Sequence, residues 1–247
     1  MLPPPVEEPL SDYLRNLERH STGAVEAVYL VGGAALGDFS LRQSNLDLVV
    51  VVSDREVLGA DPAQLRRAER SLERVGRPPG VWYATWDDIA EGPPAGGGGS
   101  APEGPEPGPA GLDTPLTRGL LVEEAIALRG PDWPVVAYDE AEFRLWCKRR
   151  LDALASASKG LMVMRRTVAP LVLEAARLAE GAVTGRVMSK SQAGEAALGL
   201  VPNHYRRILN DAVGYRRGAS TSNYWGPFER KTDALEVIRH LVKAVQG

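Results

Sequence analysis

The sequence predicts an α+β protein in two parts: an N-terminal mixed sheet with flanking helices, then an all-α C-terminal helical bundle. Three observations carry this. Short β-branched apolar runs occur only in the first 138 residues. Beyond Tyr138 the apolar spacing is helical to the end. The length, 247 residues, fits one or two domains. Composition is that of a globular chain, with 44% hydrophobic and 25% charged residues. Lysine plus arginine total 29 against 32 aspartates and glutamates, a net charge of -3. That balance argues against a nucleic-acid partner, which favours a basic excess. The single cysteine, Cys147, excludes an internal disulfide and a cysteine metal cluster. The longest strongly apolar run, residues 46–52, is too short to span a bilayer. Residues 1–10 are rich in proline and acid and lack the basic region of a signal peptide. The expectation is a soluble, cytoplasmic monomer without membrane attachment.

In chain order, residues 1–10 read as a flexible leader and 11–138 as the first domain. Ser11 caps a short helix with Tyr13, Leu14 and Leu17 on its apolar side, and Gly23 ends it. Residues 27–31 form a β-branched strand that ends in Gly32-Gly33. Residues 46–52 are apolar at nearly every position, which predicts a strand buried on both faces. A charged helix runs from Asp61-Pro62 to Gly76, and 81–86 form a third strand. Between 92 and 111, eight glycines and six prolines fill 14 of 20 positions, which reads as a flexible insertion. Helical spacing returns with Leu116, Leu120 and Leu121, followed by a short strand at 125–128. Residues 139–247 form the second domain, with helices at 140–155, 160–181, 189–199, 203–215 and 228–245. His20, His204 and His240 have no metal-ligand spacing. Trp82, Trp86 and Trp133 read as core or domain-interface aromatics. Arg206-Arg207 and Arg216-Arg217 read as a solvated or cleft-facing basic surface.

Chemistry concentrates in residues 28–52, VYLVGGAALGDFSLRQSNLDLVVVV. A strand delivers a double-glycine turn, where backbone amides can approach a phosphate closely. A polar loop follows, and the second strand opens with Ser44, Asn45, Leu46 and Asp47. Alternate strand positions share a face, so Asn45 and Asp47 are expected to project together. Oxygen ligands there suit a magnesium ion bridging nucleotide phosphates.

This pattern resembles the nucleotidyltransferase signature, in which a Gly-Gly or Gly-Ser turn precedes an Asp-x-Asp pair that binds metal. The second aspartate is present as Asp47; Asn45 stands at the first. Residues 174–218 resemble the helical domain of the aminoglycoside adenylyltransferases that modify streptomycin and spectinomycin. The shared features are Ala176-Arg177, the Thr184-Gly185-Arg186 break, Ser189-Lys190, a small-residue helix and the Pro202 turn. Residues 117–131 resemble the segment that links that family's two domains. The resemblance implies a nucleotidyltransferase-like first domain, with ATP and magnesium bound between the two domains. It implies transfer of AMP to a hydroxyl of a small, aminoglycoside-like acceptor. Asp47 and Asn45 would hold metal; Gly32, Gly33 and Ser44 would line the phosphate loop; Arg177 and Lys190 would grip the triphosphate.

Two departures stand beside the resemblance. The family's catalytic glutamate, set in Phe/Tyr-Gly-Glu-Trp after the third strand, has no match here; Asp87, Asp88 and Glu91 are the candidate bases. Thr167 falls where the streptomycin enzymes carry a drug-binding aspartate. The second reading is therefore a catalytically impaired relative that binds a nucleotide or another ligand.

Overall fold

The computed structural model describes residues 2, 4–20, 23–54, 67–75, 77–91, 112–157 and 164–246. The 92–111 insertion and, of the expected 61–76 helix, residues 61–66 and 76 lie outside the described residues. The chain divides into two compact units, Met1–Tyr138 and Asp139–Gly247.

The first unit opens with a correction. Residues 4–10 are not a loose leader, because helix α1 runs over Pro4–His20. Val6, Leu10, Tyr13 and Leu17 lie on one helical stripe and are all buried. Pro4 and Pro5 occupy the first turn, whose N–H groups have no intrahelical acceptor, so proline loses little there. Ser11 sits inside the helix, and its hydroxyl donates to the Glu7 carbonyl (2.9 Å) instead of capping.

The sheet contains β1 (Val25–Val31), β2 (Asp47–Val52), β3 (Gly80–Ala84) and β4 (Ile126–Arg129), in the order β3-β2-β1-β4. It is mixed: β1 is antiparallel to β2 and β4, and β2 is parallel to β3. β2 is central and buried from Leu48 onward, as its unbroken apolar run predicts. Leu48, Val50 and Val52 join Val28, Leu30 and the α1 stripe in one core. That core also contains a satisfied polar chain: the Tyr13 and Tyr83 hydroxyls lie 3.3 Å apart, and Tyr83 donates to Glu69 (2.9 Å).

Further helices belong to this unit. The Gly32-Gly33 turn is a single helical turn, α2 (Gly32–Ala35). α3 spans Trp86–Glu91, so the third strand stops two residues earlier than expected. α4 (Pro115–Glu123) is capped by Thr114, whose hydroxyl oxygen accepts from the Thr117 amide. Buried Arg118 on α4 donates to the carbonyls of Asp88 and Ile89 (both 2.9 Å) and to Asp113 (2.8 Å). These bonds pin the end of α3. Trp133 is exposed, not a core aromatic.

The second unit is all-α: α5 (Glu140–Ala157), α6 (Arg165–Thr184), α7 (Lys190–Ala196), α8 (Arg206–Arg216) and α9 (Pro227–Gln246). α6 is the hub and lies against the other four. A Cβ on Gly194 of α7 would stand 2.6 Å from Leu173 and 2.8 Å from Val213. The glycine therefore lets α7 press close to α6 and α8. Asp211 on α8, 1% exposed, pairs with Arg165 (3.1 Å) and accepts from the Asn223 amide (2.8 Å) and the Ser222 hydroxyl (3.0 Å). Tyr224 is buried while its neighbour Trp225 is fully exposed. Arg216 is buried, which corrects its reading as surface. No helix among the described residues is long and apolar enough to cross a membrane.

Candidate functional site

In the first unit the site is built around the first residue of the central strand. Asp47 pairs with Val31 on β1 and Gly80 on β3. A Cβ on Gly32 would come within 2.6 Å of Asp47 Oδ2, and one on Gly80 within 2.6 Å of Oδ1. The carboxylate thus occupies the space that side chains on its two neighbours would fill. Gly32 also has φ +69°, a conformation that costs other residues strain. Gly33 takes part in α2, and its carbonyl accepts from the Asp38 amide (2.8 Å). Gly80 escaped the sequence reading; the signal available was a glycine opening a strand parallel to β2.

Two expectations change here. β2 begins at Asp47, so Asn45 lies in the preceding loop and does not share a strand face with it. Ser44 is buried, and its hydroxyl oxygen accepts from the Ser40 amide (3.0 Å), which closes that loop. Among the described residues no group of three or more histidine, cysteine or acidic side chains converges. Asp47 is the carboxylate of this cradle that could hold a magnesium ion.

The candidate bases lie on α3. Asp88 forms a reciprocal cap with Thr85: its Oδ2 accepts from the Thr85 amide and hydroxyl (both 2.9 Å), and its own amide donates to Thr85 Oγ1 (3.2 Å). Asp88 is thereby committed to starting the helix. Asp87 and Glu91 are exposed.

The second unit brings Arg177 and Lys190 together through a residue the sequence reading did not assign, Glu174. One turn before Arg177 on α6, its carboxylate accepts from Arg177 Nη2 at 2.7 and 2.8 Å. Lys190 Nζ lies 3.1 Å from the same carboxylate. Lys190 is placed by a capping box: Ser189 Oγ accepts from the Gln192 amide, and Gln192 Oε1 from the Ser189 amide. A lysine at a first helical position opposes the helix dipole, so the helix alone does not account for it. The side chains of Arg177, Glu174 and Lys190 are 17%, 23% and 28% exposed. Arg177 Nε is buried with no hydrogen-bond partner among the described residues. Burial pushes the Glu174 carboxyl up, but Arg177 and Lys190 outweigh it and hold the group well below the usual carboxylate range. Glu174 favours the Lys190 charge, yet burial and the positive charges of Arg177 and Arg216 bring that ammonium below the ordinary lysine value. Arg177 and Lys190 place two cations on the single Glu174 carboxylate, and an anion is the ligand such a pair suits.

Thr167, at the position matched to the drug-binding aspartate, donates its hydroxyl to the Met164 carbonyl (2.7 Å) at the start of α6. Tyr205 lies against His204 and His240, with ring centroids 3.9 and 5.1 Å away.

The comparisons with known proteins point one way. Residues 148–243 match the family model of the aminoglycoside adenylyltransferase C-terminal domain. No curated protein matches the sequence. Among solved structures, the chain is similar to spectinomycin adenyltransferase AAD(9) from Enterococcus faecialis, solved with ATP and spectinomycin. The TM-score is 0.62 at 14% identity, covering 97% of this chain and 99% of that one. The fold is similar to that adenyltransferase's along nearly all of this chain, and residues 148–243 match the family model of the C-terminal domain.

Proposed function

We propose that the protein is an adenylyltransferase that moves AMP from ATP to a hydroxyl of a small, aminoglycoside-like acceptor. The observation that carries this reading is the Arg177–Glu174–Lys190 cluster, with its positive excess and its buried, unpartnered Arg177 Nε. Arg177 and Lys190 take the triphosphate, the arginine as a fork and the lysine as a point charge. Asp47, in its cradle of Gly32 and Gly80, holds magnesium with Asn45 nearby in sequence. A bound metal would neutralise charge on the phosphates and the leaving pyrophosphate. In the reaction the acceptor oxygen bonds to the α-phosphorus as the bond to pyrophosphate breaks, and the hydroxyl proton passes to a carboxylate. Asp87 and Glu91 are the candidates for that carboxylate, since Thr85 holds Asp88. An enzyme of this kind acts in the cytoplasm, where ATP is available, and inactivates an antibiotic of the aminoglycoside class.

The test is calorimetric titration of the protein with ATP, with and without magnesium. Magnesium-dependent binding, weakened by Arg177→Ala and by Lys190→Ala, is the expected result; no binding by the wild type refutes the reading. A second reading, a ligand-binding relative without catalysis, is favoured by the commitment of Asp88 to a helix cap. Asn45→Asp separates the two: it raises adenylylation by a metal-poor enzyme and leaves a binding module inert.

A further inference from the structure

We propose that Glu174 is the positioning residue of an oxyanion site, holding Arg177 and Lys190 side by side so that their remaining donors meet one phosphate together. The inference rests on the assignment of those two cations to phosphate made above.

Donor arithmetic supports it. A guanidinium has five N–H donors and an ammonium three. Glu174 engages Arg177 through Nη2 and Lys190 through Nζ. Buried Arg177 Nε points at no partner among the described residues. Such a donor is costly to leave unpaired, while Glu174 leaves Arg177 Nη1 and two of the Lys190 ammonium hydrogens unengaged, and a phosphate would take those. The three side chains remain open enough for a ligand to reach them.

Charge supports it as well. Lys190 is faced from α6 by Glu174 and Arg177, and from α8 by Arg216, 7% exposed. On α5, Cys147 lies beside Arg177 as a neutral thiol, its pKa pushed up to about 12 chiefly by burial. Glu174 is thus a counter-charge that favours the protonated form of Lys190. Glu174→Gln retains the shape and removes that charge, so the lysine loses protons at a lower pH than in the wild type. The rival role for the same carboxylate is a plug that competes with phosphate for the two cations.

The experiment titrates the full-length protein with sodium pyrophosphate by calorimetry at about pH 6 and about pH 8, with wild type and variants compared at each pH so that the probe's own titration cancels. Glu174→Gln is expected to bind more weakly than wild type, with the ratio worse at the higher pH. Glu174→Gln with Lys190→Met is expected to lose that pH dependence. Glu174→Asp keeps the charge but withdraws it, so it weakens binding by a similar factor at both pH values; this arm serves if Glu174→Gln does not fold. Glu174→Gln or Glu174→Asp binding as tightly as wild type, or more tightly, overturns the proposal and marks the carboxylate as a bystander or a plug. Wild-type binding that Arg177→Ala and Lys190→Ala leave unchanged overturns the phosphate assignment itself, and the proposal with it, as does no binding at all.

Discussion

Gly32 and Gly80 crowd the same carboxylate for different reasons, and a pair of alanine substitutions separates them. Gly32→Ala forces a side chain into φ +69°, about 1–2 kcal/mol. Its Cβ would also stand 2.6 Å from Asp47 Oδ2, and driving Asp47 off its rotamer adds about 0.5–1.5 kcal/mol. Gly80→Ala carries only the second cost. Its Cβ meets Asp47 Oδ1 at 2.6 Å and the end of Leu112 at 3.0 Å, while replacing glycine in a strand returns about 0.5–1 kcal/mol. The expected totals are about 2–3 kcal/mol for Gly32→Ala and about 0–1 kcal/mol for Gly80→Ala. In an Asp47→Ala background the crowding by the carboxylate vanishes, and at Gly80 only the contact with the flexible end of Leu112 remains. Gly32→Ala then keeps about 1–2 kcal/mol of backbone strain, and Gly80→Ala becomes slightly stabilising. Urea unfolding with unchanged m-values measures each corner of the cycle. If Gly80→Ala costs as much without the Asp47 carboxylate as with it, the cradle argument is wrong. Gly80→Ala is also the variant expected to weaken magnesium-dependent ATP binding while leaving stability nearly intact.

Other expectations follow from the packing. Asp211→Ala leaves Arg165 and Arg230, both mostly buried, facing an uncompensated site; a loss of about 3–5 kcal/mol is expected in urea unfolding. The same variant releases the 219–225 loop, read as a change in Trp225 fluorescence. Asp88→Ala removes one half of the Thr85 cap and costs about 1 kcal/mol, whereas Asp87→Ala stays within about 0.5 kcal/mol. With the Glu174 carboxyl held below its unfolded value, its contribution to stability is present above about pH 4.3 and is lost as pH falls toward the lower folded value. Glu174→Gln is expected to flatten that acid limb of a stability–pH curve. Cys147, buried and protonated, reacts with a thiol reagent at about pH 8 only after unfolding; prompt labelling of the native protein contradicts its placement.

Legibility in the sequence followed period and burial. The 46–52 run announced a doubly buried strand because every position but Asp47 is apolar, and the structure covers both faces of β2 from Leu48 onward. α1 was cut short because Pro4, Pro5 and Pro9 read as helix breakers. The Val6–Leu10–Tyr13–Leu17 stripe outweighs them, and two of those prolines sit where no hydrogen bond is lost. Around the site, residue type was legible and commitment was not. Asp88 looks like any free carboxylate in sequence; only its bonds to Thr85 show it to be structural. Glu174 stands one helical turn before Arg177, but its hold on Lys190 links residues on two helices and has no sequence signature. Arg216 carries the same letter as Arg217, and only packing tells the buried one from the exposed one.

The sheet order has a consequence for how this chain is made. β1 and β2 emerge from the ribosome early and pair across a short loop, whereas β4 docks on β1 through Leu30 and Ile126. Until that late segment appears, the outer edge of β1 offers unpaired backbone to any passing strand. Closing so long a loop is slow. The nascent protein is therefore most prone to aggregate in the interval before β4 is synthesised, and fragments that end ahead of Ile126 are expected to be found with chaperones or in aggregates.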